Sequence, residues 1–401
     1  MHKSTFFTGQ PIFSQLLKFI PRDKISTIST KHNSDRYCKR YNTYDHLVTL
    51  LYSILNNCTS LRETTTGLLA WEHRLQHIGL KHHPRRSTLS DANNRRSAVV
   101  FEDIYMALLE KYSHFLPDSR SKKRSSLYIF DSTSITLFQE VLRCSGLAPV
   151  NGRQKGGIKV HTLIKSDQDV PCFIKFSSAV ANDSQFLKEL ELPAGSVILF
   201  DRGYFDYSTF NDFTKKKIVW VTRRRSQSVF KVMAARVVTK EDQNAGVLTD
   251  QLIILGHNNK GRVMVKSRLI RFKDTCGKVY EFVTNNLRMS PLTIAQLYKQ
   301  RWQIEILFKR LKQNYPLKYF LGNSENAIKI QIWCTLIVDL ILKLIKNQAA
   351  KKWSFSNLAA MIRLHLMTYI DLFAFLRSPE RALLKFCYKN NQTTFPLLFD
   401  T

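Results

Sequence analysis

Two apolar runs in this sequence end in an aspartate: SLYIFDST closes on Asp131 and SVILFDRG on Asp201. If both runs are buried strands lying side by side in an open α/β sheet, their acids stand at the carboxyl ends of the strands, where ligand sites gather. Two carboxylates together at the edge of a core repel unless a cation joins them. Each aspartate taken alone has a plainer role, capping the turn after its strand. A third acid lies in the segment YKQRWQIEILFKRLK, residues 298–312. At about 100° of rotation per residue, Tyr298, Arg301, Glu305 and Lys312 share one narrow arc, and Leu297, Ile304, Leu307, Phe308 and Leu311 the adjoining one. The pattern predicts one helix that buries the apolar arc and leaves a lone carboxylate among a phenol, a guanidinium and an ammonium at the rim of the core. A solvated face with i, i+4 charge pairs is the competing account. Three hard oxygen donors without His or Cys suit Mg²⁺ or Mn²⁺. Two such ions can activate a water or 3′-hydroxyl on one side of a phosphodiester and stabilise the leaving oxygen on the other.

Composition narrows the partner. The chain has 401 residues, with Lys+Arg 61 against Asp+Glu 31, a net charge of +30 and 44% hydrophobic residues. That length predicts two or three folded units with room for real cores. The basic excess predicts a polyanionic partner, most simply double-stranded DNA. It also disfavours a two-carboxylate glycosidase, since sugars give no reason for such a charge. The seven cysteines are scattered without a CxxC pair, which predicts reduced thiols in a cytoplasmic protein rather than a disulfide framework; with DNA as its partner, the protein is expected to be nucleoid-associated. The most apolar stretch, Ile332 to Ile345, carries Asp339 and Lys343 and reads as a core helix, with no membrane partner expected.

The elements that must position these residues are legible in outline. Helical patterns run over Pro11–Ile20, Tyr44–Leu55, Leu61–Leu69 and Val99–Phe115, with Thr43 and Ser60 placed to cap. Between two of them, Ser87 is positioned to cap a short helix carrying Arg95 and Arg96, with Arg85 and Arg86 just ahead. This is the layout of a helix-turn-helix reader of DNA ends, or of a basic surface helix. His73 and His77, four apart, lack acidic or thiol companions at a metal-binding spacing, so packing or phosphate contact is expected of them. Residues 117–126 read as a linker. Strand patterns then cover Leu127–Phe130, Ile158–Ile164, Cys172–Phe176, Val197–Phe200 and Ile218–Val221, with helices at Asp183–Leu190 and Ser208–Phe213. The α/β class follows, as a mixed sheet flanked by helices. Residues 226–286 read as a β-rich insertion, and Asn326–Asn347 and Ser354–Leu376 as further helices.

At this point the residues resemble a known family. Asp131 on a first strand, Asp201 after a fourth and Glu305 on a helix beyond a β insertion are similar to the DDE transposases with an RNase H-like core. Tyr298, Arg301, Glu305 and Lys312 match the Y-x2-R-x3-E-x6-K signature of the bacterial insertion-sequence-four family, and DSTSITL and DRGYFD resemble its other two motifs. The resemblance covers about residues 120 to 315. It implies a catalytic domain over 121–320, a helical DNA-binding domain over 1–120 and a helical region over 321–401 that is a candidate for dimerisation. It implies Asp131, Asp201 and Glu305 as the catalytic triad holding about two metal ions, and Tyr298, Arg301 and Lys312 on the phosphates next to the cut. Arg202, beside Asp201, is expected to join them. The implied activity is cut-and-paste transposition by a homodimer in a synaptic complex: nicking, hairpin formation, hairpin opening and strand transfer. The hairpin step calls for an aromatic holding a flipped base, and Tyr280 and Phe282 are near but unassigned.

Two other functions compete. A nuclease of the same fold would share the triad without needing Tyr298, Arg301 and Lys312, and a non-catalytic DNA-binding protein would use its acids structurally. Basic clusters at Lys122–Arg124, Lys155 and Lys159, Lys215–Lys217 and Arg223–Arg225 predict DNA binding with a steep salt dependence.

Overall fold

The computed structural model describes residues 9–116, 126–136, 157–166, 168–178, 184–256 and 264–381. Residues 117–125 of the expected linker, and Lys122, Lys123, Arg124 and Lys155, lie outside them. The described helices are α1 (Ile12–Leu17), α2 (Arg22–Lys31), α3 (Thr43–Leu55), α4 (Leu61–Leu69), α5 (Arg86–Arg95), α6 (Ala98–Tyr112), α7 (Ser184–Lys188), α8 (Tyr207–Lys215), α9 (Lys240–Asn244), α10 (Pro291–Lys299), α11 (Trp302–Asn314), α12 (Glu325–Gln348), α13 (Phe355–Leu364) and α14 (Leu372–Arg377). The strands are β1 (Leu127–Thr136), β2 (Gly157–Lys165), β3 (Pro171–Ser178), β4 (Val197–Phe200), β5 (Val219–Arg223), β6 (Phe230–Ala235), β7 (Val247–Leu255), β8 (Val265–Lys273) and β9 (Val279–Thr284).

Residues 126–309 form one unit, built on a nine-stranded sheet ordered β3-β2-β1-β4-β5-β9-β8-β7-β6. The first three strands pair antiparallel, then β1, β4 and β5 run parallel. This is the mixed RNase H-like arrangement, flanked by helices. Strand β4 is Val-Ile-Leu-Phe with all four residues buried, the apolar run expected of a central strand covered on both faces. Phe130, Phe200, Phe210, Trp220 and Val283 share its core, with the Phe210 and Trp220 rings stacked 4.2 Å apart. The β-rich insertion continues this sheet, because β9 pairs antiparallel with β5. Within it, Arg268 on β8 is 1% exposed and donates from Nε and Nη2 to both oxygens of buried Asp250 at 2.8 and 2.7 Å. Its Nη1 donates to the carbonyls of Met289 and Asn286 at 2.6 and 3.3 Å, just ahead of α10.

Residues 9–116 and 310–381 form the other unit, so helices from distant parts of the chain share a core. Helix α12 is buried almost continuously from Ala327 to Ile345 and packs against α6 and α3. Asn326 joins the same unit together: its amide donates to the carbonyls of Asn93 and Arg96, and its oxygen accepts from the N–H of Ala98. The buried carboxylate of Asp339 accepts from Arg310 and from the Tyr315 hydroxyl, which offsets the cost of a charge in a core helix. Among the described residues no helix is long and apolar enough to cross a membrane, and the described cysteines are free thiols.

Several boundaries differ from expectation. The cap of α3 is Asn42, in a capping box with Asp45, and Thr43 is the first helical residue; Ser60 does cap α4. Helix α5 begins at Arg86 with no side-chain cap, so Ser87 lies inside it. Helix α2 carried too little apolar periodicity to be read from sequence, with only Ile25 and Ser29 buried.

Candidate active site

Strands β1 and β4 run parallel in a register that sets Phe130 beside Phe200. Both phenylalanines are fully buried, so the residue after each, one inside β1 rather than at its expected end and one just past β4, leaves the core at the same level. Those residues are Asp131 and Asp201. Asp131 Oδ1 accepts the N–H of Ser132 at 2.8 Å. Asp201 opens a short 3₁₀ turn, Arg202–Tyr204. The rest of the DRGYFD motif holds that turn in place: Tyr204 is buried edge-on against Phe130 at 5.0 Å, and Asp206 caps α8 by accepting from Thr209 and Ser208.

The expected single helix over 298–312 is two helices. At the joint, N–H groups bond three residues back instead of four: Gln300 to Leu297, Arg301 to Tyr298, Gln303 to Gln300 and Ile304 to Arg301. This tightening is 3₁₀ geometry, often found where a helix is bent to a purpose. The Ser166 hydroxyl just after β2 lies 3.2 and 3.0 Å from the Oε1 atoms of Gln300 and Gln303 and fastens the joint to the sheet. Tyr298 therefore lies in the last turn of α10, Arg301 sits in the bend and Glu305 stands on the first turn of α11.

These placements bring the three acids into one constellation. Arg301 donates from Nη1 to Asp131 at 2.8 Å and from Nη2 to Glu305 at 2.5 Å. Tyr298 donates its hydroxyl to Asp201 at 3.1 Å, and Arg223 at the end of β5 donates to the same oxygen from Nη2 and Nε at 2.7 and 3.2 Å. Burial pushes the Asp131 carboxyl up to about 6, and the negative charges of Asp201 and Glu305 add to the rise. Burial acts the same way on Asp201, but the Arg223 guanidinium outweighs it and holds this carboxyl below the usual range. Neighbouring acids thus have affinities for protons pushed apart, a pattern that marks functional sites. Burial also drives the Tyr298 phenol well above its ordinary value, so it is a hydrogen-bond donor at any physiological pH.

The donor set suits a hard divalent cation: carboxylates only, one of them desolvated. Among the described residues no three His, Cys, Asp or Glu side chains lie close enough together to hold an ion. Instead a guanidinium spans Asp131 and Glu305, in the place between two acids that a cation fills. Tyr298 and Arg301, expected to face phosphates, are buried and turned onto the carboxylates. The Arg301 Nε is buried without a hydrogen-bond partner.

The remaining expected site residues are dispersed. Arg202 is exposed beside Asp201, and Lys312 is exposed about two turns beyond Glu305 on the same helix. Arg85, Arg86 and Arg95 are exposed on α5 and its start. Arg96 is not available to read DNA: it is 4% exposed and donates to Asp35 and to the Tyr41 carbonyl. His77, exposed, contacts the Tyr369 hydroxyl at 2.9 Å, and half-buried His83 contacts the Thr65 carbonyl at 2.7 Å. Arg223 is the site residue that sequence reasoning left in a surface cluster. Its signal was its position, closing the apolar run of β5 as Asp201 closes that of β4.

The profile of the transposase DDE domain family matches residues 122–338, and that of a domain of unknown function matches residues 8–81. A protein named as transposase y4zB of Sinorhizobium fredii is 30% identical over 262 residues, 65% of this chain and 71% of that one. The one named for insertion sequence element IS4SA of Synechocystis is 27% identical over 65% of this chain and 71% of its own length. The one named for element IS5377 of Geobacillus stearothermophilus is 26% identical, over 57% and 59%. With its family profile spanning more than half of the sequence, the chain belongs to the DDE transposases.

Proposed function

We propose that this DNA transposase cuts and rejoins DNA with divalent cations held by Asp131, Asp201 and Glu305. The observation that carries the reading is that Asp131 and Glu305 meet on the Arg301 guanidinium while Asp201, on the strand beside Asp131, is held by Tyr298 and Arg223. Mg²⁺ or Mn²⁺, as a pair, suits this all-oxygen set. The chemistry such ions supply when bound is activation of the attacking hydroxyl and stabilisation of the leaving oxygen.

The protein's own groups do the rest. Asp131 must give up its proton before it can serve as a ligand. Arg301 then exchanges its carboxylate partners for a phosphate oxygen, for which its planar fork is well shaped, and Tyr298, Arg202 and Lys312 hold the neighbouring phosphates. Arg223 keeps Asp201 ionised throughout. The reaction sequence is a nick at each element end, attack by the freed 3′-hydroxyl to form a hairpin, hairpin opening and strand transfer. Two copies of the chain hold the two ends. Residues 1–120, through Arg85, Arg86 and Arg95, contribute to end recognition, and 321–401 to dimerisation.

The test is cleavage of the DNA flanking the chain's own gene, with a target plasmid and Mg²⁺ present. Asp131→Asn and Asp201→Asn should each abolish strand cleavage while leaving DNA binding intact. Cleavage by either variant at the unchanged rate would sink the metal-site reading. Cleavage without joined products would leave a nuclease.

A further inference from the structure

A second feature is unused by this chemistry. The segment 33–42 between α2 and α3 presents Arg36, Tyr37, Lys39 and Arg40, all exposed. Tyr37 is 80% exposed, and its backbone sits at φ +63°, in the left-handed region that a bulky aromatic rarely occupies. Asn33, at φ +51°, is a residue that tolerates this conformation; Tyr37 is not. The strain is not offset by burying the ring.

The loop is nevertheless firmly held. Its acid, Asp35, points inward and accepts from the Ser29 hydroxyl at 2.5 Å, from the Thr43 N–H and hydroxyl at 2.7 and 2.8 Å, and from buried Arg96 at 3.2 Å. Ser34 and Thr43 hydroxyls close the base at 2.6 Å, and the N–H groups of Arg36 and Cys38 bond back to Asn33 and Asp35. With Asp35 occupied, no acid among the described residues forms an ion pair with Arg36, Lys39 or Arg40. The Arg36 guanidinium lies 4.9 Å over the Tyr37 ring and supports one side of it.

From this we infer that residues 36–40 form a preorganised DNA contact, with the three cations on backbone phosphates and the Tyr37 ring against the nucleotides between them. A rigid base, unpaired cations and a strained exposed aromatic are what backbone binding needs and what folding alone would not select. The inference rests on the DNA-acting assignment above and gives a task to the stretch matched by the profile of unknown function.

The test uses the full chain without divalent ion, so that no strand is cut. Fluorescence anisotropy follows binding to a labelled duplex carrying the element end and to one of scrambled sequence. Replacing the three cations together (Arg36→Ala, Lys39→Ala, Arg40→Ala) should lower the log–log salt slope by about three on both duplexes, since each phosphate contributes about 0.9. Tyr37→Ala should weaken binding about tenfold with little change in slope. Tyr37→Asn should weaken it equally while keeping the melting temperature at or above that of the unchanged protein, because Asn accepts the left-handed backbone. Loop variants that bind both duplexes with unchanged affinity and slope would overturn the inference alone, as would a Tyr37→Asn protein whose lost binding comes with a lowered melting temperature. An unchanged protein that binds neither duplex would overturn the proposed function as well.

Discussion

Arg301 and Asp131 illustrate how charge arranges a cluster of carboxylates at the edge of a core. A buried carboxylate beside two others is unfavourable, and the nearest guanidinium relieves it by spanning two of the three. The relief is incomplete, because Asp131 still rises to about 6 from its ordinary 3.8. A folded state that favours the protonated acid is most stabilised below the unfolded value and loses that contribution as pH rises through about 6. Urea unfolding in the presence of a chelator, from pH 4 to pH 8, should therefore show a loss of about 2–3 kcal/mol across this window that Asp131→Asn removes. Divalent-ion affinity should run the opposite way, tightening as pH rises through about 6, because the ligand must be ionised. A difference between the two proteins that is flat with pH would show that Asp131 titrates normally.

The bend between α10 and α11 is the element on which the site turns. Ser290 and Pro291 open α10 with a side-chain cap and a preset backbone, and the loop just before them is tied to the insertion by Arg268. The β-rich insertion is thus a brace for the helix that carries Tyr298. Arg268→Met leaves buried Asp250 without its main partner, and should cost about 3–5 kcal/mol of stability, read as a lowered urea midpoint. Adding Asp250→Leu should recover a large part of that loss, because no unpaired charge then remains buried. A single variant as stable as the unchanged protein would mean that the brace is dispensable.

At the scale of the whole molecule, charge governs encounter with DNA. A net +30 predicts association that weakens with salt along a log–log slope steeper than about −5, equivalent to six or more neutralised phosphates. A titration of duplex binding between 50 and 200 mM salt, concentrations typical for such slopes, checks it, and a shallow slope would deny the basic excess a role in binding. Much of the rest was legible in the chain itself. Asp131 and Asp201 announced themselves as acids closing apolar runs, and β4, spanning Val197–Phe200, and α4, spanning Leu61–Leu69, were readable to the residue, because periodicity and caps are local properties. Local patterns also led astray where distance decided the outcome. Arg96 looked like a DNA reader until Asp35, 61 positions away, was seen to bind it, and 298–312 read as one helix although Ser166 fastens a bend within it. Sequence alone determined which residue types are present and the period at which they recur, and hence the acids, the net charge and most of the elements. Tertiary structure alone decided that β1 lies beside β4, that Arg223 faces Asp201, and that helices from distant parts of the chain share a core. Those pairings depend on which apolar faces find each other across hundreds of residues, and no local spacing encodes that.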